Sequence, residues 1–317
     1  MAFSKQDPEY SVVVPIFEEA GNIVPLDKEI KAVLSKITNN YEIIYVHDGS
    51  RDNSLSELKS LKNVTIIDLN RNYGQTTAFD AGFKAAKGNI IISMDGDGQD
   101  DPREIPKLLK KLKEENLDVV AGWRRNRKDK GGIRILTKLG RGLRSLFLKD
   151  PIHDSGCALR VYKREAIKSL DIGGEMHRYI VALLNWKGFK IGEVEVNHRP
   201  RVHGKTKYGY DKAIRGFIDL IYIWFINKYS QRPLHLFGYV SLFSFFIGAL
   251  SLGESIWARL IWDLSLNRNG FFFLGFFFLI LGGMTFAFGI IVDLLIKIQT
   301  NSSLFEKRYY IREVVRN

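Results

Sequence analysis

The stretch SMDGDGQDDP, residues 93–102, sets Asp95, Asp97, Asp100 and Asp101 within seven positions, directly behind the apolar run Ile90, Ile91, Ile92. Like charges that close repel unless water or a cation sits among them. A solvated turn is one reading, because Asp and Gly both favour turns. A calcium loop fails: Asp95, Asp97 and Gln99 fit its first, third and fifth positions, but its obligatory glycine is Asp100 and its bidentate glutamate is Pro106. The remaining reading is a loop past a buried strand whose oxygens seat Mg²⁺ or Mn²⁺ shared with a substrate phosphate.

What must position such a loop is an alternating α/β frame. Short β-branched runs occur at 11–16, 41–46, 64–69, 89–94 and 117–122, as expected for buried parallel strands. Between them Leu26, Ile30, Val33, Leu34 and Ile37 share one helical face, as do Ile105, Leu108, Leu109 and Leu112. The alternation predicts a mostly parallel sheet with helices on both faces. Polar clusters follow each of the first four strands: Glu18 and Glu19; Asp48, Asp52 and Ser54; Arg71; and the acidic loop. All four fall on one edge of the sheet, where open sheets of this kind bind ligands. Neither the dinucleotide glycine fingerprint after the first strand nor a phosphate-cradling Gly-x-x-x-x-Gly-Lys-Ser/Thr is present, which argues against hydride transfer and against a P-loop enzyme.

The 317 residues contain one cysteine, Cys157, so no internal disulfide framework is expected and a reducing compartment is favoured. The first twelve residues are polar and show no secretory signal. Net charge is +12, but it is concentrated: ten Lys or Arg between Trp123 and Lys149, and six more between Asn197 and Arg215. In the first block Ile135, Leu139, Leu143 and Leu146 oppose Arg134, Lys138, Arg141 and Arg144, the pattern of an interfacial helix near 133–148 or of an ordinary amphipathic surface helix. Leu234 to Gly253 and Gly270 to Val292 carry no Asp, Glu, Lys or Arg, and each run is long enough to span a bilayer. Basic flanks on the outer sides of this pair predict that both termini, and so the whole front of about 230 residues, face the cytoplasm, as in a bacterial inner membrane. The expected order is a cytoplasmic domain over 1–210, a juxtamembrane amphipathic helix over 211–230, a two-helix anchor over 231–298 and a basic tail over 299–317. Tethering to lipid also makes a nucleic-acid partner unnecessary to explain the charge.

Taken together, VVVPIFEEAGNI, VHDGSRDNS, LNRNYGQTTAFDAG, MDGDGQDDP and NHRPRVHGKTKYG, followed by two apolar spans, resemble the polyprenyl-phosphate glycosyltransferases of family 2, GT-A type, relatives of dolichyl-phosphate mannosyltransferase. The resemblance covers roughly residues 10 to 300. It implies a GT-A, Rossmann-like domain and inverting transfer of one sugar from a UDP- or GDP-linked donor to a membrane polyprenyl phosphate, with assembly into a homo-oligomer through the spans. By the same resemblance Pro15, Glu18 and Asp48 line the nucleotide pocket, Asp95 sits near ribose and phosphates, and Asp97 with Gln99 holds a divalent cation, Mg²⁺ or Mn²⁺. Arg71 could stabilise the leaving diphosphate. The segment 154–165 makes Asp154 the candidate base, although a lipid phosphate with a second pKa of about 6 needs little deprotonation, so Asp154 could instead orient a sugar hydroxyl or an arginine. Asp101 reads as a helix N-cap before Pro102, and His177 with Arg178 opens a further helix with either a capping or a site role. Charge assigns Arg124, Arg134, Arg199 and Lys205 to the lipid phosphate. A processive polysaccharide synthase would need a Gln-x-x-Arg-Trp motif and more spans, neither present; a non-catalytic nucleotide-sugar-binding protein would show no turnover.

Overall fold

A computed structural model describes residues 7–125, 151–200, 220–225, 228–229, 233–301 and 311–316. It divides into two compact units, Met1–Ile221 with Lys307–Asn317, and Tyr222–Glu306.

Among the described residues the first unit forms one sheet of eight strands. In chain order they are β1 (Tyr10–Ile16), β2 (Tyr41–His47), β3 (Thr65–Leu69), β4 (Ile90–Ser93), β5 (Val119–Trp123), β6 (Arg160–Lys163), β7 (Ile191–Glu195) and β8 (Ile311–Arg316). Their order across the sheet is β7-β5-β6-β4-β1-β2-β3-β8. Strands β3, β2, β1 and β4 are parallel neighbours, so the order reverses between β1 and β4. That reversal opens a crevice beyond their C-terminal ends. Two strands run against the rest. β6 wedges antiparallel between β4 and β5, pairing Arg160 with Ser93 and Ala121, and β8 pairs antiparallel with the outer edge of β3.

Alternation along the strands splits the core into two layers. Val12, Val14, Ile43, Tyr45 and Ile92 pack on α1 (Ile23–Leu34), on Leu58 of α2 (Ser54–Ser60) and on Ile105, Leu108, Leu109 and Leu112 of α4 (Ile105–Glu114). Val13, Ile44, Val46 and Ile91 face α3 (Gln75–Ala85), α5 (Arg164–Lys168) and α6 (Ile180–Trp186). One predicted helical contact moves out: α1 stops at Leu34 with Ser35 as its C-cap, and Ile37 lies beyond it, exposed. The expected tail 299–317 also contains a strand, since Ile311–Arg316 form β8, with Arg312 donating from Nη2 to the carbonyl of Asn70 at 2.9 Å.

The second unit contains α7 (Pro233–Trp262) and α8 (Gly270–Asn301), two helices long and apolar enough to cross a membrane. Its polarity is inverted relative to a soluble pair. Ser241, Ser244, Gly248, Ser251 and Ser255 of α7 face inward, whereas Leu242, Phe243, Leu260, Phe273 and Phe277 are exposed. Gly275, Gly282 and Gly289, seven residues apart on α8, have no room for a side chain: a Cβ on them would lie 2.6 Å from Leu252, 2.9 Å from Phe245 and 2.7 Å from Phe237. The hydroxyl of Ser241 donates to the carbonyl of Gly282 at 2.8 Å. Small residues and a hydroxyl bond at the seam, with bulky apolar groups outside, are how helices associate when the solvent is hydrocarbon.

Candidate active site

The loops past β1 to β4 are fastened one to the next. Four successive backbone N–H groups after β1, those of Glu18, Glu19, Ala20 and Gly21, donate to Ser50 Oγ, Ser54 Oγ, Asp52 Oδ2 and the Glu57 carboxylate, all at 2.8–3.1 Å. Glu18 sits at φ 56°, a strained setting for a non-glycine residue that this set of bonds holds. The loop after β2 then grips the loop after β3. Asp48, fully buried, accepts from the backbone N–H of Tyr73 at 2.7 Å and of Gly74 at 2.9 Å. Gly49 lets the two loops meet, since at φ +64° a Cβ there would lie 2.4 Å from the Arg71 backbone. Gln75, opening α3, completes the chain by donating from Nε2 to Asp95 Oδ1 at 2.6 Å.

The acidic loop closes the set. Asp97 is 8% exposed, and its Oδ1 accepts from the Gln99 N–H. Asp100 Oδ2 accepts from the Asp95 N–H at 3.1 Å. Asp101 caps the short 3-10 turn Pro102–Glu104 and also receives Arg199 Nη2 at 2.6 Å, while Arg199 Nη1 reaches Glu29 at 2.7 Å. Gln99 Nε2 lies 3.4 Å from the Arg199 carbonyl and from His198 Nε2. Asp95 opens onto a cavity but is closely ringed by protein, and burial, with Asp100 and Asp97 beside it, pushes its carboxyl well above the usual range. Burial likewise pushes Asp100 up to about 6. Asp101 goes the other way: Arg103 and Arg199 outweigh its burial and hold it low.

These shifts set a pH dependence. A carboxyl raised in the fold stabilises it fully below its unfolded pKa of about 4 and loses that contribution as pH rises through about 6. Asp100 by itself is therefore expected to add about 2 kcal/mol of stability to metal-free protein without nucleotide between pH 7.5 and 4.5. Asp100→Asn should remove that share and leave the part owed to Asp95, as read by thermal unfolding across the range.

On the other side of β4, Asp154 holds Arg124 through Nε at 2.7 Å and Nη2 at 3.1 Å, and also accepts the N–H of Gly156. Although both groups are largely buried, the pairing lowers the Asp154 carboxyl. Beside them the segment Met176–Tyr179 is tied to α3 by a 2.7 Å bond between His177 Nδ1 and Thr76 Oγ1. The hydrogen bonds of Ser50, Asp52, Ser54, Glu57 and Thr76 escaped sequence reading, because their partners are backbone groups 32 to 36 residues away or, for Thr76, 101 residues away.

Residues 11–171 match glycosyl transferase family 2. The chain belongs to this family. Glycosyltransferase relatives extend the likeness into the apolar helices. The dodecaprenyl-phosphate galacturonate synthase of Rhizobium johnstonii is 37% identical over 78% of this chain and 75% of its own length. The undecaprenyl-phosphate 4-deoxy-4-formamido-L-arabinose transferase of Pseudomonas syringae pv. syringae is 31% identical over 97% of this chain and 91% of its own. Among solved structures, glucosyl-3-phosphoglycerate synthase of Mycobacterium tuberculosis with Mn²⁺, UDP and phosphoglyceric acid superposes with a TM-score of 0.55 at 18% identity, covering 69% of this chain and 78% of that one. That likeness is one of fold, the GT-A type.

Within this glycosyltransferase, Pro15, Glu18, Asp48, Arg71, Asp95, Asp97 and Gln99 all lie on the strand-end edge and its loops. Gly96 packs directly under Pro15, a Cβ there lying 2.9 Å from its carbonyl oxygen, which seats the acidic loop against β1. Arg71 stacks over the Tyr73 ring at 4.6 Å. Arg134, Lys205 and the helix expected near 133–148 lie outside the described residues.

Proposed function

We propose that the protein transfers one sugar, with inversion, from a UDP- or GDP-linked donor to a polyprenyl phosphate held in the membrane. The observation that carries this reading is the acidic Asp95–Asp97 loop at the β1/β4 reversal, on a chain that also bears two membrane-length helices. In this reading the loops after β1 and β2, with Pro15, Glu18 and Asp48, receive the nucleotide. Asp95, Asp97 and Arg71 face its diphosphate. A phosphate oxygen of the lipid forms the new bond to the anomeric carbon as the bond from that carbon to the diphosphate breaks, the electron pair leaving with the nucleotide diphosphate. The attacking oxygen is already anionic at neutral pH, so no proton need be removed, and Asp154 serves to hold Arg124 in place.

The donor set suits a divalent cation. Asp95 and Asp97 are hard carboxylate ligands crowded enough that their charge calls for neutralisation, and no cluster of three metal-binding side chains forms among the described residues. One or two carboxylates plus substrate phosphates is the usual way to hold Mg²⁺ or Mn²⁺. Asp97 and Asp95 would hold the ion, with Gln99 at its margin, and the bound cation would neutralise charge on the departing diphosphate.

Arg124, Arg134, Arg199 and Lys205, from the two basic blocks, make up the acceptor side. The relatives' names carry two different sugars, one acidic and one a formamido pentose, so the donor's sugar is left open by them. The test is transfer of radiolabel from UDP- and GDP-sugars to polyprenyl phosphate by the purified protein in detergent; a lipid-soluble product is expected, and its absence with every donor overturns the reading.

In the same reading the catalytic domain lies on the cytoplasmic side. The chain leaves the sheet before α7 and rejoins it as β8 after α8. Two crossings therefore return it to the side it left. Basic flanks favour the cytoplasm for that side. External protease added to sealed cells should spare both the catalytic domain and a C-terminal tag; cleavage of the tag would reverse the orientation.

A further inference from the structure

Next to Asp95 lies a cavity of about 100 Å³, lined on its polar side by Gln75, Asp95, Ser155, Arg160, His177 and Arg178. At roughly 10–15 Å³ per water, it has room for a group the size of one sugar ring, not of a nucleotide. Its floor is aromatic and apolar, from Phe79, Phe83, Tyr162 and Ile180. The register of the sheet puts it there: β6 begins at Arg160, opposite Ser93 at the end of β4. A donor whose diphosphate faces Asp95 and Asp97 would extend its sugar into this space.

The charge of the lining is unusual for a pocket that holds a neutral sugar. Two guanidiniums and an imidazole face one carboxylate, Asp95, which Gln75 already engages. Arg160 is structural in part. It is buried, and its Nη2 and Nη1 donate to the carbonyls of Ser155 at 2.6 Å and His177 at 3.1 Å, joining the two segments that form the far wall. Arg178 is different. Its backbone is fixed through its neighbour His177, which bonds to Thr76, yet among the described residues its side chain meets an acid only at 3.8 Å, in half-exposed Glu175. That separation is beyond hydrogen-bond reach, and a rim pair of this kind is weak. The pocket therefore presents a planar, fork-shaped cation on an anchored segment, above an apolar floor.

We propose that this cavity takes the donor's sugar and that Arg178 selects a sugar bearing a carboxylate, a uronic acid, over the neutral hexose of the same configuration. The inference rests on the transferase reading for the direction in which the donor lies. Chemically, a guanidinium grips a carboxylate through two parallel charge-assisted bonds. A hexose offers a hydroxymethyl group at that position and leaves the fork unmatched. Sites built around such a partner reject analogues that lack it far more strongly than apolar pockets reject a missing methylene.

The test is calorimetric binding to the full-length protein in detergent with Mn²⁺, comparing UDP-glucuronate and UDP-galacturonate with UDP-glucose and UDP-galactose, and GDP-mannuronate with GDP-mannose. For at least one pair the acidic donor should bind ten-fold or more tightly. Arg178→Gln should erase that preference while leaving UDP and GDP affinity unchanged, and Arg178→Lys should keep part of it. Equal binding within every pair overturns the proposal, as does a preference that survives in Arg178→Gln. A drop in UDP or GDP affinity in Arg178→Gln assigns the residue to the diphosphate and overturns it too. Transfer to lipid is scored separately: an acidic-donor preference without any lipid product supports the pocket and sinks the acceptor reading, whereas lipid product formed equally from neutral donors does the reverse.

Discussion

Asp97→Asn is expected to lower turnover by at least about 100-fold, equivalent to ~2.7 kcal/mol or more of transition-state stabilisation, with the fold intact. Asp97 is almost fully buried in the acidic loop, where its carboxylate also accepts the Gln99 N–H. An asparagine carbonyl keeps that acceptor, so the loop should hold its shape. What disappears is a negative charge facing the place where a cation and a departing diphosphate would meet. Activity measured over a range of Mn²⁺ and Mg²⁺ concentrations, with unfolding followed in parallel, tests this. Near-normal turnover at saturating metal would remove Asp97 from the cation site.

Arg124→Ala should cost stability rather than chemistry alone. Arg124 and Asp154 are 8% and 16% exposed, and two guanidinium nitrogens reach the carboxylate. Deleting the arginine strands a buried carboxylate, a loss of about 3–5 kcal/mol. Two controls give the prediction its sign. Arg124→Ala combined with Asp154→Asn should be less destabilised than Arg124→Ala alone, because no charge is then left without a partner. The pH dependence follows from the lowered carboxyl of Asp154. The stability it contributes is present above its unfolded pKa of about 4 and is lost as pH falls through the lower folded value. The deficit of the single variant should therefore shrink in acid, as denaturant unfolding at pH 7 and pH 3 would show.

What could be read in the sequence was whatever the chain announces locally. The apolar runs before Glu18, Asp48, Arg71 and Asp95 fix which residues follow strand ends, and parallel pairing then brings those ends to one edge. Asp101 as a cap was equally legible, since a proline follows it. Pairing between distant segments was not. Nothing local shows that Asp48, expected in the nucleotide pocket, also accepts from the backbone of Tyr73 and Gly74. Nor do the local residues show the partners of Asp154 and Arg199, which are Arg124 in one case and Glu29 with Asp101 in the other. β6 offers only four residues, too few for a periodic signal, and it is this strand that inserts against the parallel direction and brings Arg160 to the cavity. β8 reads as a charged tail because none of its residues is buried; its place comes from the open edge of β3, which no local pattern reveals.

The strand β8 makes the pair of apolar helices an insertion within a folded sheet rather than an appendage after it. A soluble fragment ending near residue 221 would not be a complete domain. Along Thr65–Leu69 it would expose the N–H and C=O groups that now pair with Ile311–Arg316, and a bare strand edge recruits other chains. It would also lose Arg312, whose guanidinium bonds the Asn70 carbonyl and lies 3.7 Å from Asp68, the acid that receives His47 under the loop after β2. Tags or fusions joined at residue 317 have the same edge for a neighbour. Fragment design for this protein is thus a matter of chain order: joining residues 221 and 307 by a linker in place of residues 222–306 keeps all eight described strands, whereas truncation keeps seven.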